Sequence, residues 1–158
     1  MRYAYYPGCS LHASAREYDI SWRAVCGRLD IELAEMEDWS CCGTVHATSV
    51  DRLLALALAA RNLAIAEAAG LEIAAPCSGC YKNLRTADEA LKGDTELRAK
   101  ASLPRQFKGS TAVRHPLYII LEDTRPGRPG GRPQTAPRAQ GGPLLRLRAH
   151  PPRCSSSG

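Results

Sequence analysis

At 158 residues the chain is long enough for one domain with a real core and hardly for two. Its most apolar stretch, Leu53 to Ala69, is interrupted by Arg61, Asn62 and Glu67, so no run approaches the ~20 apolar residues of a membrane span. The net charge of +5 hints at nucleic acid until it is located: seven of the 21 basic residues lie in 124–158 without a single acid, which leaves 14 basic against 16 acidic residues in 1–123 and excludes a basic binding domain there.

Residues 2–6 predict a short strand, stopped by Pro7-Gly8. No apolar signal-peptide core precedes it, so the seven cysteines are expected to stay reduced in the cytoplasm. That favours metal binding or redox work over a disulfide framework. A helix is predicted from about Ser10, as its N-cap, to Leu29, with Cys26 as a core residue in mid-helix. Ile31 to Met36 alternates apolar with acidic residues, as a half-buried strand does. Trp39-Ser-Cys-Cys-Gly follows, then a helix from about Ser49 to Ala69. Its Leu53, Leu56, Ala60 and Leu63 lie close to one face, and Gly70 caps its end.

Leu71 to Ala75 predicts a third strand, ended by Pro76, and Cys77-Ser-Gly-Cys80 opens a helix reaching about Leu91. From Val113 to Leu121 the chain is apolar enough for a helix or a strand, with Pro116 interrupting it. Beyond it, 124–158 holds seven of the eleven prolines and six of the thirteen glycines, a composition that predicts a disordered tail. Its arginines have no aromatic residues among them, so no nucleic-acid partner is expected, and Cys154 there reads as incidental. The fold class expected is α/β: a small parallel sheet of βαβ units flanked by helices over 1–123, followed by the tail 124–158.

Five cysteines carry the chemistry. Cys9 is followed after 31 residues by Cys41-Cys42-Gly, and after a further 34 by Cys77-x-x-Cys80. Each group falls where a predicted strand ends and a helix begins, and ligands of parallel sheets bind beyond the carboxyl ends of the strands. Five thiolates are one too many for a tetrahedral ion, which points to an iron–sulfur cluster. Adjacent cysteines seldom share one small ion, whereas a cluster spreads its ligand positions over several ångströms. Helix N-termini after each group would direct N–H dipoles at it.

Two other readings stay open. A structural zinc site would use Cys77 and Cys80 with two of Cys9, Cys41 and Cys42. A thiol–disulfide pair at Cys77/Cys80 would leave the other three without a role. His12, three residues after Cys9, and His46, just beyond Cys42, are candidate hydrogen-bond donors around the site, with surface or capping roles as the plainer alternative. Tyr5, Tyr6, Trp39 and Tyr81 flank the cysteines and are read as its walls.

The combination of Tyr6-Pro-Gly-Cys9, Ser40-Cys-Cys-Gly43, Ala60-Arg-Asn-Leu63 and Cys77-Ser-Gly-Cys80-Tyr81 resembles the heterodisulfide reductase B-type polypeptides, which share a cysteine-rich CCG domain. The likeness covers about residues 1–123. It implies that Cys9, Cys41, Cys42, Cys77 and Cys80 are ligands of a noncubane [4Fe–4S]-type cluster. It also implies two partners in one complex, a ferredoxin-like iron–sulfur protein and a flavoprotein, as sources of electrons. The substrate it implies is a disulfide such as that between coenzyme M and coenzyme B. No individual acid or base can be named.

Members of the family carry two CCG domains, and this chain shows the first. Near Glu122-Asp123 the sequence turns into Arg/Pro/Gly-rich text without acids or periodicity, as an out-of-frame reading of GC-rich DNA does. The expectation is a truncated or frameshifted polypeptide that binds one cluster without completing the reaction.

Overall fold

Four parallel strands form the centre of the computed structural model, in the order β2-β1-β3-β4. It describes residues 1–100 and 107–124, so the expectations for 125–158, Cys154 among them, lie outside the described residues. The strands are β1 (Arg2–Tyr5), β2 (Glu32–Glu35), β3 (Ile73–Ala74) and β4 (Val113–Arg114). Tyr3 pairs with Leu33, Tyr5 with Ala74, and Ile73 with Val113. The expected small parallel sheet flanked by helices is the observed architecture.

The central strands are buried on both faces because alternate side chains feed two cores. Tyr3, Tyr5 and Ala74 pack with Trp22, Cys26, Ile31 and Ile119 on one face. Ala4, Tyr6 and Ile73 pack with Leu56, Leu63, Leu84 and Leu91 on the other. Two helices cover that second face, α4 (Arg52–Ala68) and α5 (Ser78–Gly93). The small side chains Ala59, Ala60 and Ala64 let α4 approach closely.

The helices differ from those expected at four places. The helix expected from Ser10 to Leu29 is two: α1 (Gly8–His12) and α2 (Arg16–Arg28). Ser10 does not cap with its side chain. Its carbonyl accepts the N–H groups of Ala13 and Ala15, and Ala13 leaves helical geometry at φ −120°, ψ −88°. The helix expected from Ser49 to Ala69 is likewise two, α3 (Thr44–Val50) and α4. Asp51 is extended between them, and its carboxylate accepts from the N–H groups of Leu53 and Leu54, a side-chain cap for α4. Pro116, expected as an interruption, stands in the first turn of α7 (Pro116–Tyr118), where its missing N–H costs nothing. A π-turn (Ile119–Asp123) continues from it. After α5 comes α6 (Thr95–Lys100), a short helix that no periodicity announced.

Strand order reverses about β1: the first crossover goes to β2 on one side, the next to β3 on the other. A crevice opens at such a switch point, beyond the carboxyl ends of β1 and β3. Cys9 follows β1, Cys41 and Cys42 follow β2, and Cys77 and Cys80 follow β3. No helix among the described residues is long and apolar enough to cross a membrane.

Candidate functional site

The five sulfurs predicted from spacing converge at this edge. Cys42 and Cys80 are buried with their Sγ atoms 3.5 Å apart and share a hydrogen bond. Cys77 lies close enough to Cys80, and Cys9 to Cys41, for each neighbour's sulfur to work against ionisation of the other thiol. Cys9, Cys41, Cys42, Cys77 and Cys80 thus share one neighbourhood, with Cys42 and Cys80 in direct contact. All five are free, Cys9 and Cys41 exposed to solvent and Cys77 half-buried. Buried Tyr6 lies near these cysteines. Burial, and then the charges of Cys80, Cys42, Cys41 and Cys9, raise its phenol above its ordinary pKa.

The local backbone explains why the thiols meet. Gly8 has φ +70°, and a Cβ there would lie 2.8 Å from Cys80 Sγ, so only glycine permits this approach of α1 to α5. Gly43, at φ +89°, turns the chain from the cysteine pair into α3. That turn aims N–H groups at sulfur. The Gly43 N–H works to favour the ionised Cys41 thiol, and the N–H groups of Thr44 and Cys42 that of Cys42.

The two buried thiols are electrostatically unequal. The hydrogen bond with Cys80, opposed by burial and helped by the backbone donors and the Asn83 amide, draws Cys42 down to about 6. The same contact, with burial, pushes Cys80 far up. Burial first, then the neighbouring sulfurs of Cys9 and Cys42, raises Cys41 against the Gly43 N–H.

Three residues that sequence reasoning gave no role, Asn62, Arg61 and Asn83, hold the cysteine loop. Asn62, fully buried on α4, donates to the carbonyls of Ser40 and Leu58 at 3.0 Å each and accepts the Ser40 N–H at 2.9 Å. Tyr6 adds its hydroxyl to the Ser40 carbonyl at 2.7 Å. Arg61 clamps the carbonyl and the carboxylate of Asp38 at 2.5 Å each. Asn83 on α5 reaches Cys42 Sγ at 3.6 Å and the Thr44 carbonyl at 3.2 Å. For Arg61 and Asn62 a signal was present, since these are polar residues that interrupt the apolar stretch.

The histidines and aromatic residues take places of their own. His12 faces Glu35 at 3.4 Å and stacks edge-on against Trp39, which in turn meets Tyr6. His46 bonds to Thr44 Oγ1 at 2.9 Å, an N-terminal arrangement within α3. Tyr5 is not a wall, contrary to expectation: alternation along β1 turns it to the opposite core, where its hydroxyl donates to Asp19. Tyr81 borders the site and stacks with His115 and Tyr118. Cys26 is a core residue as expected, with burial pushing its thiol up to about 12.

Among the described residues, no group of three or more His, Cys, Asp or Glu side chains is arranged around a single metal ion. Of the five sulfurs, Cys42 and Cys80 are in direct contact, and the other three come from the same edge of the sheet. Such a donor set suits a group that offers several soft metal positions, each taking its own thiolate.

Residues 3–85 match the family model for the CCG cysteine-rich domain. The 8-methylmenaquinol:fumarate reductase membrane anchor subunit of Wolinella succinogenes is 34% identical over 124 residues, 77% of this chain and 44% of that protein. A heterodisulfide reductase B-like protein of Archaeoglobus profundus is 29% identical over 129 residues, 78% of this chain and 43% of that protein. The B polypeptide of the ferredoxin/F420H2-dependent CoB-CoM heterodisulfide reductase of Methanosarcina acetivorans is 30% identical over 105 residues, 63% of this chain and 35% of that protein. The chain spans less than half the length of these curated relatives.

Proposed function

We propose, from the premise that this chain belongs to the CCG cysteine-rich domain family, that it is the iron–sulfur subunit of a heterodisulfide-reductase-like oxidoreductase. Cys9, Cys41, Cys42, Cys77 and Cys80, within a domain assigned to 1–123, would hold a noncubane [4Fe–4S]-type cluster. The single observation that carries this reading is the gathering of five cysteines at the switch point of the sheet, with Cys42 and Cys80 in sulfur contact. When bound, the cluster supplies electrons one at a time and Lewis-acidic iron.

The chain's own residues prepare the place. Gly8 and Gly43 bring sulfur and backbone N–H groups together; Asn62 and Arg61 fix the loop that presents Cys41 and Cys42. Tyr6 and the core beneath it close the inner side against water, while the exposed Cys9 and Cys41 leave the outer side open to substrate and electron donor. The electron acceptor in this reading is a disulfide, reduced as RS–SR′ + 2 e⁻ + 2 H⁺ → RSH + R′SH, with coenzyme M–coenzyme B heterodisulfide as the example. A ferredoxin-like iron–sulfur protein and a flavoprotein of the same complex would deliver the electrons, in the cytoplasm.

The test is redox cycling. The chain, purified without oxygen, is reduced with dithionite, freed of excess reductant and mixed with the heterodisulfide. The reading expects iron–sulfur absorbance that bleaches on reduction and a reduced spectrum that changes when the heterodisulfide is added, without release of two thiols, since this chain holds one CCG domain. A reduced spectrum that the heterodisulfide leaves unchanged would rule out a disulfide acceptor.

A further inference from the structure

We propose that Asn83 is a positioning residue that sets the electron affinity of the cysteine centre through the sulfur of Cys42. The inference rests on the iron–sulfur reading above. Asn83 stands three residues after Cys80 on α5, so the helix that carries the Cys-x-x-Cys pair also carries this amide. Its Nδ2 spans to the other cysteine loop, donating one hydrogen to the Thr44 carbonyl at 3.2 Å and the other toward Cys42 Sγ at 3.6 Å.

The first bond orients the second. An amide group is planar, so anchoring one N–H on the Thr44 carbonyl fixes where the other points. Thr44 itself sits at φ +49°, a left-handed conformation that a β-branched residue adopts only when held. The Asn83 bond to its carbonyl is one such restraint. The side chain is half-buried, which limits competition from water. Hydrogen bonds to ligand sulfurs withdraw electron density and raise the reduction potential of an iron–sulfur centre. The backbone donors of this site are common to any sequence that folds this way. Asn83 is a side-chain donor, and a substitution can remove it.

The experiment is a dye-mediated dithionite titration of the full chain, prepared without oxygen as wild type, Asn83→Leu, Asn83→Ser and Asn83→Gln, with iron per chain measured on each. Leucine keeps the volume and removes both donors; serine is too short to reach the sulfur; glutamine restores a donor. At the wild-type midpoint, the Leu and Ser variants are expected to show a reduced-to-oxidised ratio about tenfold lower, about 59 mV for a one-electron couple. Glutamine is expected to recover part of that shift. Unchanged midpoints in Leu and Ser at wild-type iron content would overturn the proposal. So would variants that lose stability or iron while the remaining centre keeps its potential, the mark of a purely structural asparagine. A wild-type chain that holds no iron would overturn the iron–sulfur reading itself, a failure seen before any variant is compared.

Discussion

Cys42 and Cys80, 38 residues apart in sequence, meet sulfur to sulfur at 3.5 Å, beyond the ends of β1 and β3. Everything else at this edge of the sheet serves that meeting. α1 comes close enough only because Gly8 lacks a side chain, the Cys41–Cys42 loop hangs from Asn62, and α5 carries both Cys80 and the amide that touches Cys42.

Gly8→Ala is expected to be the most damaging small change. Its new Cβ would lie 2.8 Å from Cys80 Sγ, at a φ of +70° that costs a side chain roughly 1–2 kcal/mol before any clash. The variant should lose that much stability in denaturant unfolding and bind less metal per chain. Gly27→Ala is the control: it lies within α2 with nothing within 4 Å of the new methyl, and should gain about 0.5–1 kcal/mol with metal content unchanged. Equal behaviour of the two variants would contradict the close-approach argument.

Asn62→Leu removes three hydrogen bonds and leaves the Ser40 N–H without its acceptor. A buried polar group stranded in this way costs about 1–3 kcal/mol. Chemical unfolding of the full chain should show that loss, and metal content should fall with it, because Cys41 follows Ser40 directly. A loss of stability with full metal content would mean that the loop keeps its place without Asn62.

Glu67 ties residues 108–110 to the end of α4 and gives the fold an acid-sensitive joint. Burial works to raise its pKa, but the N–H groups of Lys108, Ser110 and Gly109 and the Ser110 hydroxyl outweigh it and hold the carboxyl below its ordinary value. A lowered carboxyl contributes stability above its unfolded pKa of about 4.3 and loses it as pH falls through the folded value. The stability gap between wild type and Glu67→Ala is therefore expected to be full at pH 6 and to narrow toward pH 3. A gap independent of pH would mean that the carboxylate's charge is not what anchors the loop.

Strand ends and cysteine spacing were enough to bring the five cysteines to one edge of the sheet, because period-two patterns and Pro/Gly stops are local signals. Helix interruptions were harder. Ala13, Ser14 and Ala15 do nothing locally to stop a helix, and the break there follows from the Ser10 carbonyl taking the Ala15 N–H. Asp51 was legible in principle as a cap, but the apolar text after it reads on smoothly from Ser49. Asn62 showed in the sequence only as a polar break in an apolar stretch, and Asn83 not at all: their partners lie 22 and 41 residues away, and only the folded chain pairs them. Tyr5 and Tyr6 are neighbours in sequence and lie in different cores, a consequence of strand alternation.

The most direct measurement is the iron, acid-labile sulfide and zinc content of the chain purified without oxygen, as wild type and as Cys→Ser variants. The account predicts about four iron and four sulfide per chain. Cys42→Ser and Cys80→Ser should lower both, and Cys26→Ser, in the opposite core, should leave them unchanged. About one zinc per chain without sulfide would contradict it and make the five cysteines a structural metal module.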